Sequence, residues 1–391
     1  MEAFYKTHTY LVEHVQSPVR RKLMDEIDWT HRLIGIKGSR GVGKTTFLLQ
    51  YAKEHFGTDR SCLYVNFNNF YFTSHTLVEF ASLFCKQGGK TLLIDQTFKY
   101  QNWSKELREC YERFPQLHII FSGSSVMRLI EDNTELQDIV VSYNLRGYSF
   151  REFLNLQAGT SFSSYSLEEI IQNHTQIAKD ICSKTKPLDF FKAYLHHGYY
   201  PFFLENRNFS ENLLKTMNMI LEVDILLIKQ IELKYLNKIR KLLYLLMTSS
   251  PGAPNVSQLS LEIETSRATI MNYIKYLKDA RLINTLYTEG DEYPKKPNQV
   301  YVNNTNLMYA VSPGNVDPVA ERKTFFYNAL HSRHKINLSK NLDFSIDQKY
   351  YFKCEKKPES GKMNAKALYA VDNIEIGTKN EIPLWLFGFL Y

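Results

Sequence analysis

Between Arg32 and Ser124, short apolar runs alternate with segments whose apolar residues recur every three to four positions. LIGIK (Leu33 to Lys37), CLYVNF (Cys62 to Phe67), TLLID (Thr91 to Asp95) and LHIIFS (Leu117 to Ser122) read as strands. KTTFLLQYAKEHF, HTLVEFASLFCKQ and WSKELRECYERF lie between them and read as amphipathic helices. Strands that are apolar on both faces belong in a parallel sheet covered on both sides. Right-handed crossovers place the helices on its two faces. The pattern therefore predicts an α/β domain.

Beyond Phe153 the period changes. Residues Leu167 to Leu246 carry helical spacing throughout, most plainly in SENLLKTMNMILEVDILLIKQIE. SSPGAPN (Ser249 to Asn255) is a breaker-rich link. The stretch VSQLSLEIETSRATIMNYIKYLKDARLI reads as helix, turn, helix, and NTLYTEG with PNQVYVNN as a hairpin. Together they predict a winged helix. From about Asn303 onward short strands and Lys-rich loops mix, and the closing IPLWLFGFLY reads as a buried final strand. The expected architecture is an α/β parallel-sheet domain over 1–153, a helical lid over 154–248, a winged helix over 249–302 and a small α+β C-terminal domain over 303–391. There is no internal repeat and no low-complexity stretch.

Composition narrows the class. With 391 residues, 44% hydrophobic and 23% charged, the chain has material for two or three cores, and no long disordered stretch is expected. A balance of 48 Lys+Arg against 41 Asp+Glu, hence +7, permits nucleic-acid contact without requiring it. Five scattered cysteines, Cys62, Cys85, Cys110, Cys182 and Cys354, form no Cys-x-x-Cys pair. That argues against a disulfide framework or a structural zinc site. The first residues lack the apolar core of a signal peptide, and no run has the roughly 18 apolar residues needed to span a bilayer. A cytoplasmic setting is expected.

One segment carries specific chemistry. GSRGVGKTT comprises Gly38, Ser39, Arg40, Gly41, Val42, Gly43, Lys44, Thr45 and Thr46. Its first eight residues fit G-x-x-x-x-G-K-[ST] after an apolar strand and at the opening of a helix. Glycines let the main chain curl so that its N–H groups face phosphates, and the helix N-terminus adds positive potential. Lys44 is expected on the β- and γ-phosphates and the Thr45 hydroxyl on Mg²⁺. Asp95 ends the TLLID strand, where a carboxylate can hold the Mg²⁺ shell opposite Thr45. The motif thus predicts ATP with Mg²⁺ as cofactors. Gln96 follows, where many such ATPases carry Glu; an amide can orient a water but cannot take its proton. Binding with slow or absent turnover is expected, from a naturally degenerate site or from an introduced substitution. Ser122 or Ser124, ending the next strand, can reach the γ-phosphate or that water.

Taken together, RLIGIKGSRGVGKTTFLLQY, LYVNFNNFYF, GGKTLLIDQTFKYQNWSKEL, IIFSGSS and GYSFREFL resemble the bacterial AAA-type P-loop ATP-binding proteins that carry a winged helix and a C-terminal domain of unknown function. HHGYYPFFLE, ILEVDI, VYVNNTNLMYA and DNIEIGTKNEIPLWLFGFLY extend the similarity over nearly the whole chain. The resemblance implies an AAA-type P-loop NTPase fold. It also implies Glu at position 96 and a pair of arginines where Asp138 and Ile139 stand, and this chain departs at both. If those arginines act as fingers on the γ-phosphate, this chain lacks them, and two losses together favour natural degeneracy. The family's C-terminal domain resembles restriction endonucleases. Asp343 and Lys357 match that pattern, but Lys353 stands in place of its Glu, which argues against metal-dependent nuclease activity.

In the helix-turn-helix, Ser266 reads as an N-cap. Ile270, Tyr273, Ile274 and Leu277 point to a core. Arg267, Thr269, Asn272 and Lys275 face outward, and the wing offers Lys295 and Lys296. DNA through these residues and packing against protein remain equal readings, because Asp279, Asp291 and Glu292 dilute the charge. The expected function is a nucleotide-dependent switch in which ATP and Mg²⁺ tie the lid to the loop. The alternative is a non-enzymatic interaction module with ATP as a structural ligand.

Overall fold

A computed structural model describes residues 1–127, 129, 133–205, 208–356 and 367–391. The main chain gathers into two compact units, Met1–Gly147 and Tyr148–Tyr391.

The first unit is built on a fully parallel sheet of β1 (Leu33–Gly38), β2 (Cys62–Asn66), β3 (Thr91–Asp95), β4 (His118–Ser124) and β5 (Val141–Asn144). The strand order is β2-β3-β4-β1-β5. All residues of β3 and all but the first of β4 are buried. That agrees with the unbroken apolar runs of the sequence. Helices Lys44–His55, Leu77–Lys86 and Trp103–Arg113 connect the strands. The N-terminal helix Glu2–His14 packs on β2 through Tyr5, His8 and Val12. The His8 ring is buried, and burial lowers its pKa. It thus stays neutral, with Nδ1 accepting from the Tyr64 amide at 3.0 Å.

The second unit opens with helix Phe150–Ala158, whose capping box pairs Ser149 with Glu152. The boundary expected at 153 falls inside this helix. Phe150, Phe153 and Leu154 all belong to the second unit's core, so the break comes at Tyr148. Helix Leu167–Cys182 follows with its own capping box of Ser166 and Glu169. The stretch read as continuously helical is interrupted by π turns at Tyr194–Gly198 and Ile220–Ile225. Helices Val256–Glu262 and Arg267–Asp279 come next, then antiparallel β6 (Ile283–Leu286) and β7 (Gln299–Val302). Ser266 caps the second of these helices through Thr269 N.

The C-terminal part combines helix Pro318–Leu330 with a mixed sheet of β8 (Ile336–Leu338), β9 (Phe344–Ile346), β10 (Tyr350–Glu355), β11 (Leu368–Val371) and β12 (Glu381–Pro383). Neighbours from β8 to β10 run antiparallel and those from β10 to β12 parallel. The expected final strand is shorter than its apolar run. β12 stops at Pro383, and Leu384–Phe389 forms a 3₁₀ helix. Helices Phe150–Ala158, Leu167–Cys182, Pro187–Ala193 and Pro318–Leu330 pack against this segment. A 3₁₀ turn aims Leu384, Trp385, Leu386, Phe387 and Phe389 in all directions, where a strand offers only two.

Candidate nucleotide site

The loop between β1 and helix Lys44–His55 lies at the C-terminal edge of the parallel sheet, where open α/β sheets bind ligands. Gly41 has φ 85° and Gly43 φ 94°. Both lie in the left-handed region that glycine enters without strain. Gly43 is the N-cap of the helix, so the free helical amides open directly onto the loop. Gly38 answers to space: a Cβ there would stand 2.5 Å from the Leu145 carbonyl oxygen. Lys44 Nζ spans the loop, donating to the Gly38 and Ser39 carbonyls at 2.8 Å each. Ser39 is buried with its hydroxyl unpartnered. Val42 is buried, whereas Arg40 and Thr46 are half-buried and Thr45 is exposed.

Asp95 is 1% exposed, yet four donors converge on its carboxylate. Oδ2 accepts from Thr45 Oγ1 at 2.6 Å and from the Tyr64 hydroxyl at 2.9 Å. Oδ1 accepts from the Gln96 amide at 2.9 Å and from the Ser122 hydroxyl. Four such hydrogen bonds satisfy the acceptor sites of this buried carboxylate. The strand order explains the convergence. β4 lies between β1 and β3, so the loop after β1 and the carboxylate after β3 meet across the end of β4, where Ser122 sits.

Gln96 has φ 55° and ψ 40°, left-handed for a residue with a side chain. Its amide is shared between Asp95 Oδ1 and Ser122 Oγ, at 2.9 and 3.1 Å. Its Oε1 is buried without a partner. Strain of this kind concentrates at functional sites. The two serines expected near phosphate diverge. Ser122 is committed to Asp95 and Gln96, whereas the Ser124 hydroxyl receives the Val126 amide at 3.4 Å. Asp138 is exposed and ion-paired with Arg108 at 2.5 Å.

The residues fit a nucleotide with its metal. The loop is curled by left-handed glycines, a hydroxyl and a carboxylate meet at its end, and the polar atoms Ser39 Oγ and Gln96 Oε1 are buried without a protein partner. A family profile described as an AAA domain matches residues 30–154. That segment is an AAA domain. Its fold is the α/β P-loop NTPase fold of the AAA type. A second profile, described as a domain of unknown function (DUF8612), matches residues 188–313. An uncharacterized protein of Methanocaldococcus jannaschii is 27% identical over 273 residues, 66% of this chain and 57% of that protein. The chain thus spans 57% of the length of that curated relative. Among solved structures, the Aeropyrum pernix ORC1 protein in complex with DNA covers 80% of this chain and 92% of its own at 10% identity, with a TM-score of 0.32. AMPPCP-bound DnaA from Aquifex aeolicus covers 71% and 87% at 13% identity, with a TM-score of 0.27.

Two residues of the AAA domain's site escaped the sequence reading. Tyr64 sits mid-strand in an apolar run and looks like core. Arg21 precedes the domain, yet its guanidinium donates to Val42 O at 3.3 Å, Arg146 O at 2.8 Å and Gly147 O at 3.0 Å. No spacing rule links residues so far apart.

The other candidate positions lie in the second unit. Arg267 and Asn272 are exposed, but Asn272 accepts from the Tyr293 hydroxyl at 2.7 Å and Lys275 Nζ lies 4.9 Å from the Tyr293 ring. Lys295 pairs with Asp291 at 2.5 Å, and Lys296 is exposed. In the C-terminal sheet, Asp343 pairs with Lys323 at 2.6 Å, and Lys353 with Glu355. Lys357 lies outside the described residues. Among the described residues no group of three or more His, Cys, Asp or Glu could hold a metal, and no helix is long and apolar enough to cross a membrane. All five cysteines are free, and burial pushes the Cys62 thiol up to about 12.

Proposed function

We propose that this protein binds ATP with Mg²⁺ in the loop from Gly38 to Thr45 and acts as a nucleotide-dependent switch with slow or impaired hydrolysis. The 2.6 Å contact between Thr45 Oγ1 and Asp95 Oδ2 carries this reading. A hydroxyl and a carboxylate side by side at the end of the loop are what a magnesium–phosphate group would meet. Lys44 would turn from the loop carbonyls to the β- and γ-phosphates, and the helix N-terminus would receive their charge. Thr45 and Asp95 would hold Mg²⁺, which screens phosphate charge when bound. Gln96 would orient a water without deprotonating it. Arg21 links the loop carbonyl of Val42 to the Arg146 and Gly147 carbonyls within the first unit.

A ligand held at a hundred times its Kd adds about 2.7 kcal/mol of stability. ATP with Mg²⁺ should therefore raise the melting temperature of the wild type, and Lys44→Ala should abolish the rise. An equal rise in the variant sinks the reading.

A second reading concerns DNA. Helices Val256–Glu262 and Arg267–Asp279 followed by the β6–β7 hairpin have the element order of a winged helix, which supports contact through Arg267, Asn272, Lys275, Lys295 and Lys296. The ties of Asn272 and Lys275 to Tyr293 and of Lys295 to Asp291 leave Arg267 and Lys296 as the stronger candidates, for phosphate rather than base contact. The alternative of a non-enzymatic module predicts ATP-dependent stabilisation and no phosphate release.

A further inference from the structure

Tyr64 supplies the donor on Asp95 that no part of the phosphate-loop reading uses. Its ring is 5% exposed on β2, where it pairs in register with Leu93 of β3. The Tyr64 hydroxyl gives its one proton to Asp95 Oδ2 at 2.9 Å.

A carboxylate offers about four acceptor sites, and Asp95 has four donors. The water shell of a bound cation presents donors only. For one of its waters to reach Asp95, a present donor must leave. The Gln96 amide is main chain, and Ser122 holds both Asp95 and Gln96. Thr45 can keep its proton on Asp95 while its lone pair faces the cation. Withdrawal of Tyr64 leaves the contacts of Thr45, Gln96 and Ser122 in place.

We propose that Tyr64 is a positioning residue that sets the Mg²⁺ requirement of nucleotide binding, by capping the Asp95 oxygen that a metal-bound water needs. This rests on the ATP and Mg²⁺ reading of the same site. The cap keeps the carboxylate satisfied when no cation is bound, and displacing it opposes cation binding.

The test is calorimetric titration of the full chain with ATP at Mg²⁺ levels from chelated to millimolar. In Tyr64→Phe the half-saturating Mg²⁺ concentration should fall about ten-fold, the worth of one hydrogen bond to a charged group. A half-point that stays or rises in Tyr64→Phe overturns the proposal, and a rise is what loss of a mere brace would give. Wild-type protein that binds no ATP at any Mg²⁺ level overturns the site reading itself, which is a separate result.

Discussion

Gln96 concentrates the chemistry at the scale of single residues. A left-handed side-chain-bearing residue costs on the order of 1–2 kcal/mol, and its φ of 55° places its amide between Asp95 and Ser122. The amide side chain presents a buried Oε1 with no protein partner, which suits a bound water. Gln96→Glu supplies a group able to accept a proton there. Steady-state phosphate release should rise at least ten-fold in this variant, since general bases contribute about 10²–10⁴. A silent variant points instead to positions 138 and 139, where Asp138 and Ile139 stand in place of the arginines that the resemblance implies. The loop, Asp95 and Gln96 were legible because a phosphate loop has invariant spacing and Asp95 ends a strand. Tyr64 and Arg21 were not, because their roles depend on which strands and loops become neighbours.

At the scale of elements, the strands of the first unit were legible as apolar runs, and β3 matches its expected bounds at Thr91–Asp95. The N-terminal helix was not read, because it buries only Tyr5, His8 and Val12. The π turn at Tyr194–Gly198 was hidden for another reason: it depends on distant side chains. A π turn frees carbonyls from the helical ladder, and at Tyr194–Gly198 these are taken up from the 303–306 segment. Asn306 Nδ2 donates to Tyr194 O at 3.0 Å and Leu195 O at 2.8 Å, and its Oδ1 accepts the Tyr199 amide at 2.9 Å. Thr305 Oγ1 donates to Leu195 O at 2.6 Å. The run of polar residues in VYVNNTNLMYA, all buried from Asn303 to Asn306, is thus a clip rather than a turn. Asn306→Leu strips the asparagine partner from the Tyr194 carbonyl and the Tyr199 amide, with Leu195 O keeping Thr305, and should cost about 2–4 kcal/mol. Urea unfolding of the second unit reads this directly, and a loss under about 0.5 kcal/mol, within the ordinary range of surface substitutions, rejects the clip.

At the scale of the whole molecule, the nucleotide site belongs to the first unit alone, while the residues proposed for DNA belong to the second. The net charge of +7 is small enough that long-range attraction alone gives weak, salt-sensitive association. Removing two phosphate contacts with Arg267→Ala and Lys296→Ala should weaken duplex binding and lower the slope of log affinity against log salt by about 1.8; an unchanged slope sends the winged-helix reading to a protein partner instead. The claim beneath all of this is that Gly38 to Thr45 and Asp95 enclose a triphosphate with its cation. Direct calorimetric titration of ATP with Mg²⁺ into wild type and Lys44→Ala measures it. One ATP per chain in the wild type and no heat of binding in the variant is the expected result; equal binding by both proteins, or none by the wild type, contradicts it.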